Sequence, residues 1–108
     1  MICFLIYVSE RDFCLTDEVN LVCEHGEILT FERVLFGRMS IESRCIKIPD
    51  GIGCHTDMTS HVEEKCLGHR NCSFGVHEMI PLTKQCQEYS SYMSVNYRCR
   101  KGESSIVA

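Results

Sequence analysis

The most regular pattern in the chain lies near its C-terminal end. There Met93, Val95, Tyr97 and Cys99 alternate with Ser94, Asn96 and Arg98. A period of two sends the apolar set to one face and the polar set to the other, which predicts a half-buried strand. A shorter alternation, Val19, Leu21 and Cys23 against Asn20 and Val22, predicts a second strand. Glu24-His25-Gly26-Glu27 then forms a turn around its glycine. Ile28 to Phe36 is a longer strand candidate. Leu29 and Phe31 alternate, and Val34 and Phe36 resume after Glu32-Arg33. That change of parity is what a bulge produces. Gly37-Arg38 ends this strand. Ile46-Lys47-Ile48 predicts a short strand closed by the turn Pro49-Asp50-Gly51, and Ser73 to His77 another. One segment reads as helix. Ser60-His61-Val62-Glu63 has the form of a capping box, and Val62, Lys65 and Cys66 continue for one or two turns to a stop at Gly68. The fold class expected is α/β of the mixed, α+β kind, richer in strand than in helix, with one or two short helices.

Composition narrows this further. The chain has 108 residues, a length for one domain, and nine of them are cysteine. Cysteine at such density belongs to small extracellular domains whose modest cores are cross-linked. The expected location is therefore outside the cell, secreted or in the ectodomain of a membrane protein. A net charge of −4, with no basic run, argues against nucleic acid. Trp is absent, so stacking platforms are sparse. The apolar start, Met1 to Val8, is too short to cross a bilayer, so no membrane insertion by this chain is expected. Residues 1–10 read either as a signal-peptide remnant or as an N-terminal extension with a first strand. Residues 11–100 are the expected domain and residues 101–108 a flexible tail. Cys3 falls in the extension, as a free thiol or an intermolecular link.

Metal and redox chemistry are disfavoured. Zinc sites use close pairs such as C-x2-C, which this chain lacks; Cys66 with Cys72, and Cys14 with Cys23, are poor half-sites. His25, His55, His61, His69 and His77 are scattered, and His55 beside Cys54 reads as a solvated loop histidine. A redox C-x-x-C is also absent. No nucleophile–base pair or carboxylate pair emerges from spacing, so neither an enzyme nor a cofactor is expected. Eight cysteines from Cys14 to Cys99 allow roughly a hundred pairings. Geometry does not choose among them, but it allows one short loop: Cys66 at a helix end can turn back through Gly68 to Cys72.

Cys23-Glu24-His25-Gly26, Leu29-x-Phe31, Phe36-Gly37-Arg38, Cys66-x-Gly68-x3-Cys72 and Tyr92-x-Ser94-Val95-x-Tyr97-x-Cys99 occur in that order. The ensemble resembles the SUEL-type, or sea-urchin-egg, lectin domain. This family of galactose- or rhamnose-binding lectins includes domains of latrophilin-like adhesion receptors. The resemblance covers Cys14 to Cys99. It implies a small disulfide-stapled domain with the pairing Cys14–Cys45, Cys23–Cys99, Cys54–Cys86 and Cys66–Cys72. It also implies a monosaccharide pocket made by a glutamate after the first cysteine, the tyrosine of a YGR motif, the aspartate of a DPC motif and a lysine in a KYL-like motif. Carboxylates accept from vicinal hydroxyls and lysine donates to the same oxygens.

This chain departs at each of those positions. Leu15 stands for the glutamate, Phe36 for the tyrosine, Lys84 for the aspartate and Ser91 for the lysine. Asp17, Glu18 and Glu88 are the acids near enough to substitute, and Glu88 joins the four positions as an expected pocket residue. Matching residues have structural readings: Gly37 as a conformation that a Cβ forbids, Arg38 as a structural hydrogen-bonder, Tyr92 and Tyr97 as core, Glu24 as a surface carboxylate. Asn71-Cys72-Ser73 matches the glycosylation sequon, but a bridged middle cysteine argues against its use. Two functions follow. One is an extracellular lectin module with a degenerate galactose/rhamnose-type pocket, its partner a cell-surface glycan or glycoprotein. The alternative is a protein-recognition or adhesion module, binding a protein receptor, on a lectin scaffold that has lost monosaccharide binding.

Overall fold

The alternating C-terminal stretch forms one of the two inner strands of a four-stranded antiparallel sheet. In the computed structural model, residues 8–82 and 91–102 are described. They form β1 (Ser9–Cys14), β2 (Glu18–Val22), β3 (Glu27–Gly37), β4 (His55–Asp57), α1 (Thr59–Cys66), β5 (Asn71–Gly75), a 3-10 helix (Val76–Leu82) and β6 (Tyr92–Lys101). Sheet order is β1-β6-β3-β4, and β2 pairs with β5 in a separate two-stranded sheet. Cys3, Lys84, Cys86 and Glu88, with most of the extension and tail, lie outside the described residues.

Parity decides which face is buried. Met93, Val95 and Tyr97 of β6 point inward with Phe13 of β1 and Leu29, Val34 and Phe36 of β3. The expected bulge is present: register shifts between Phe31 and Arg33, and Val34 thereby returns to the inner face. Against this face pack Val62 and Cys66 of α1, Val19 and Leu21 of β2, Phe74 of β5, and Val76 and Met79. Each fully buried Val, Leu or Phe contributes roughly 1.5–3 kcal/mol of transfer free energy.

Three bridges are in place: Cys14–Cys45, Cys23–Cys99 and Cys66–Cys72. Cys54 is also disulfide-bonded, and the partner expected for it, Cys86, is outside the described residues. Gly37 and Arg38 fix the end of β3. Gly37 has φ of +154°, and a Cβ there would lie 2.3 Å from the Cys54 carbonyl oxygen. Arg38 is only 1 % exposed, its Nε donates to the Asp50 carbonyl at 2.7 Å, and its guanidinium also donates to the Ile48 carbonyl. A buried guanidinium is tolerable only when its donors are satisfied in this way. The structural readings of both residues therefore hold.

Several sequence expectations are corrected. Ile46–Ile48 is loop, not strand: Ile48 is exposed and its carbonyl serves Arg38 instead of a ladder. Ser73–His77 is displaced, because β5 runs Asn71–Gly75 and His77 belongs to the 3-10 helix. The helix is real, but the Ser60–Glu63 capping box does not start it. The helix begins at Thr59, whose amide and hydroxyl donate to the Asp57 carboxylate at 2.9 and 2.6 Å. Those two bonds, the hydroxyl first, hold Asp57 below the usual carboxylate range. His55 is exposed as expected, but it opens the short strand β4 and is not in a loop. Strand β1 has no counterpart in the hydrophobic pattern.

Candidate functional site

The end of β1 and the loop before β4 enclose a cleft of about 420 Å³ lined by Leu15, Thr16, Asp17, Arg44, Lys47 and Ser91 around the Cys14–Cys45 bridge. Its geometry begins with a turn. The Asp17 amide donates to the Cys14 carbonyl at 2.9 Å, and the Cys14 amide donates back to Asp17 Oδ2 at 2.8 Å. This reciprocal pair fixes Leu15 and Thr16 at the tip. The bridge then draws the neighbours of Cys45 alongside. Arg44 Nη2 sits 3.1 Å from Asp17 Oδ2 and also donates to the Asp12 carbonyl at 3.3 Å, and Nη1 lies 2.9 Å from Cys14 Sγ. The Cys14 amide, and after it Arg44, hold the Asp17 carboxyl below its ordinary range. Asp17 thus stays ionised, with part of its accepting capacity already used. Lys47 is exposed, and Ser91 is buried at 3 % exposure.

Of the expected pocket positions, Leu15 and Ser91 meet in this cleft. Phe36 does not line it: at 1 % exposure it belongs to the core, on the same β3 face as Val34. Lys84 and Glu88 are outside the described residues. Of the substitute acids, Asp17 lines the cleft, and Glu18 does not. Glu24 is a surface carboxylate at the β2–β3 turn, as expected. Tyr92 is buried; its phenol oxygen accepts the Ser40 amide at 3.0 Å, and burial pushes its hydroxyl above the ordinary range. Thr16, Arg44 and Lys47 were not anticipated. The signal that locates them is the Cys14–Cys45 pairing, which places the flanks of one cysteine against those of the other.

The cleft therefore sets one carboxylate and two cations around an apolar leucine and small hydroxyls. Such a set can donate to and accept from a polar ligand, and it offers no nucleophile with an adjacent base. Elsewhere, Cys23, Glu27 and Cys99 bring three donor atoms within 4.8 Å of one another. The two sulfurs are bonded to each other, so they are not thiolate ligands. Among the described residues, no helix is long and apolar enough to cross a membrane.

Comparison with known proteins agrees with this scaffold. The family model for the D-galactoside/L-rhamnose binding SUEL lectin domain matches residues 21–99, most of the chain. No curated protein matches it. The chain belongs to the SUEL lectin family, and it is a carbohydrate-binding lectin module in that general sense.

Proposed function

From that membership, we propose that this domain recognises glycans on cell-surface glycoproteins outside the cell, and that it holds free galactose or rhamnose weakly or not at all. The carrying observation is the make-up of the cleft at the Cys14–Cys45 bridge. Leu15 and Ser91 occupy it where the family resemblance calls for a glutamate and a lysine. The remaining carboxylate, Asp17, is partly engaged by the Cys14 amide and Arg44. Each charge-assisted bond lost to a sugar hydroxyl weakens binding by about 1.5–3 kcal/mol. Two such losses take an already modest monosaccharide affinity into the millimolar range or beyond. The bridges support an oxidising location. Useful avidity then comes from several glycan copies presented together.

Titration of the oxidised domain with methyl-galactoside and with rhamnose, followed by amide NMR shifts, tests this reading. The expected result is absent or non-saturating shifts at residues 15–17 and 91. Submillimolar saturation at those amides overturns it.

A further inference from the structure

We propose that the outer face of the four-stranded sheet carries a second saccharide subsite, separate from the cleft at Cys14, that takes an uncharged sugar residue. Side chains of β1, β6 and β3 that point away from the core fall into two cross-strand rows. Glu10, Asn96 and Arg33 form one, and Asp12, Ser94 and Leu35 the other, each residue opposite the next in register. All six line one depression of about 360 Å³, walled by the Met39–Ser43 loop. That volume lies within the range of small-ligand clefts, roughly 300–1,000 Å³.

Among the described residues, the side chains of Glu10, Asp12, Arg33, Ser94 and Asn96 make no hydrogen bond or ion pair. Farther along the same face the situation is different: Arg98 is paired with Glu32, and the Thr30 hydroxyl donates to the Arg98 carbonyl. The depression thus holds carboxylate acceptors, a guanidinium donor, an amide and a hydroxyl, none of them hydrogen-bonded or ion-paired, with the Arg33 charge also acting on the Asp57 carboxylate. Half-buried Leu35, with Met39 on the wall, supplies an apolar patch for the C–H face of a sugar ring. Strand pairing fixes the backbone from which these groups project, which limits the ordering cost of binding to their side chains. Charge sets the class of sugar. Glu10, Asp12 and Glu42 face the single guanidinium of Arg33, so uronates, sialic acids and sulfated sugars are repelled. The acids do not converge as a metal cluster, since the grouping of that kind found among the described residues lies at Cys23, Glu27 and Cys99.

The test is amide shift mapping of the oxidised domain with three neutral disaccharides, lactose, chitobiose and mannobiose, and with sialyllactose. At least one neutral disaccharide is expected to give saturable shifts at Leu35, Ser94 and Asn96. Arg33→Ala and Asn96→Ala, each checked for an otherwise unchanged spectrum, are expected to weaken that binding at least about fivefold, and Lys47→Ala to leave it alone. The proposal is overturned if no neutral disaccharide saturates, if sialyllactose binds as tightly, or if the shifts sit only at residues 15–17 and 91. That last pattern would place binding at the Cys14 cleft, so failure here is distinct from failure of the functional reading above.

Discussion

Replacing Cys23 and Cys99 together with alanine is expected to lower the unfolding free energy by about 4 kcal/mol. This bridge spans 76 residues, the longest loop among the three described, and it ties the approach to β3 to the far end of β6. Closing so long a loop removes much of the freedom of the unfolded chain. The native side loses packing as well, since Cys23 is buried at 3 % exposure within the core cluster. A domain this small has roughly 5–15 kcal/mol to lose, so the variant should be marginal or unfolded at body temperature. The matching pair, Cys66→Ala with Cys72→Ala, removes a bridge over 6 residues and is expected to cost nearer 2 kcal/mol. Urea unfolding of both variants, followed by far-ultraviolet circular dichroism, measures the difference. Equal losses, or a smaller loss for the long loop, would contradict the assignment of the Cys23–Cys99 bridge as the principal staple.

Gly37→Ala is expected to be comparably damaging, at about 3–5 kcal/mol. The added carbon would lie 2.3 Å from the Cys54 carbonyl oxygen and 2.6 Å from His55 Cα. Both are backbone atoms, and neither can swing aside. Gly37 pairs with His55 in the sheet, and the Arg38 amide donates to the same Cys54 carbonyl at 2.7 Å. Moving them apart breaks the β3–β4 ladder and loosens the buried guanidinium beside it. The φ of +154° adds strain for any residue with a Cβ. Gly26→Ala is the control. Its φ of +86° is also unfavourable, but nothing lies within 4 Å of its added carbon. Its cost should stay near 1 kcal/mol. Denaturant midpoints of the two variants give the comparison, and similar midpoints would show that the close approach at Gly37 is not what constrains that position.

The residues that were legible in the sequence are those whose chemistry is local. The parity of Met93 to Cys99 and the interruption at Glu32-Arg33 announce β6 and the bulged β3 because half-burial writes itself into alternation. Gly37 and Arg38 were legible because few residues can fill a steric pinch or satisfy buried carbonyls. Strand β1 was hidden because only Phe13 of its six residues is fully buried, and the polar remainder faces outward or toward the edge. Strand β4 has three residues, too few for a period. Ile46–Ile48 misled because Ile48 faces solvent and its carbonyl serves Arg38, while the Ile46 amide closes a turn onto the Ser43 carbonyl. Leu15 and Ser91, two of the positions named from the family resemblance, line one cleft, and Phe36 turns inward because its parity on β3 matches that of Val34. Arg44 and Lys47 reach the site only through a bridge to Cys14, 31 residues away from Cys45, and no local pattern reports that.

The central claim is that a cross-linked lectin scaffold sets the neighbours of Cys14 and Cys45 into one recognition surface. Peptide mapping of the native protein under non-reducing conditions tests it most directly. The expected linked peptides join Cys14 to Cys45, Cys23 to Cys99 and Cys66 to Cys72, with Cys54 joined to Cys86. Free thiols at these positions, or a different set of partners for Cys14 and Cys23, would contradict it.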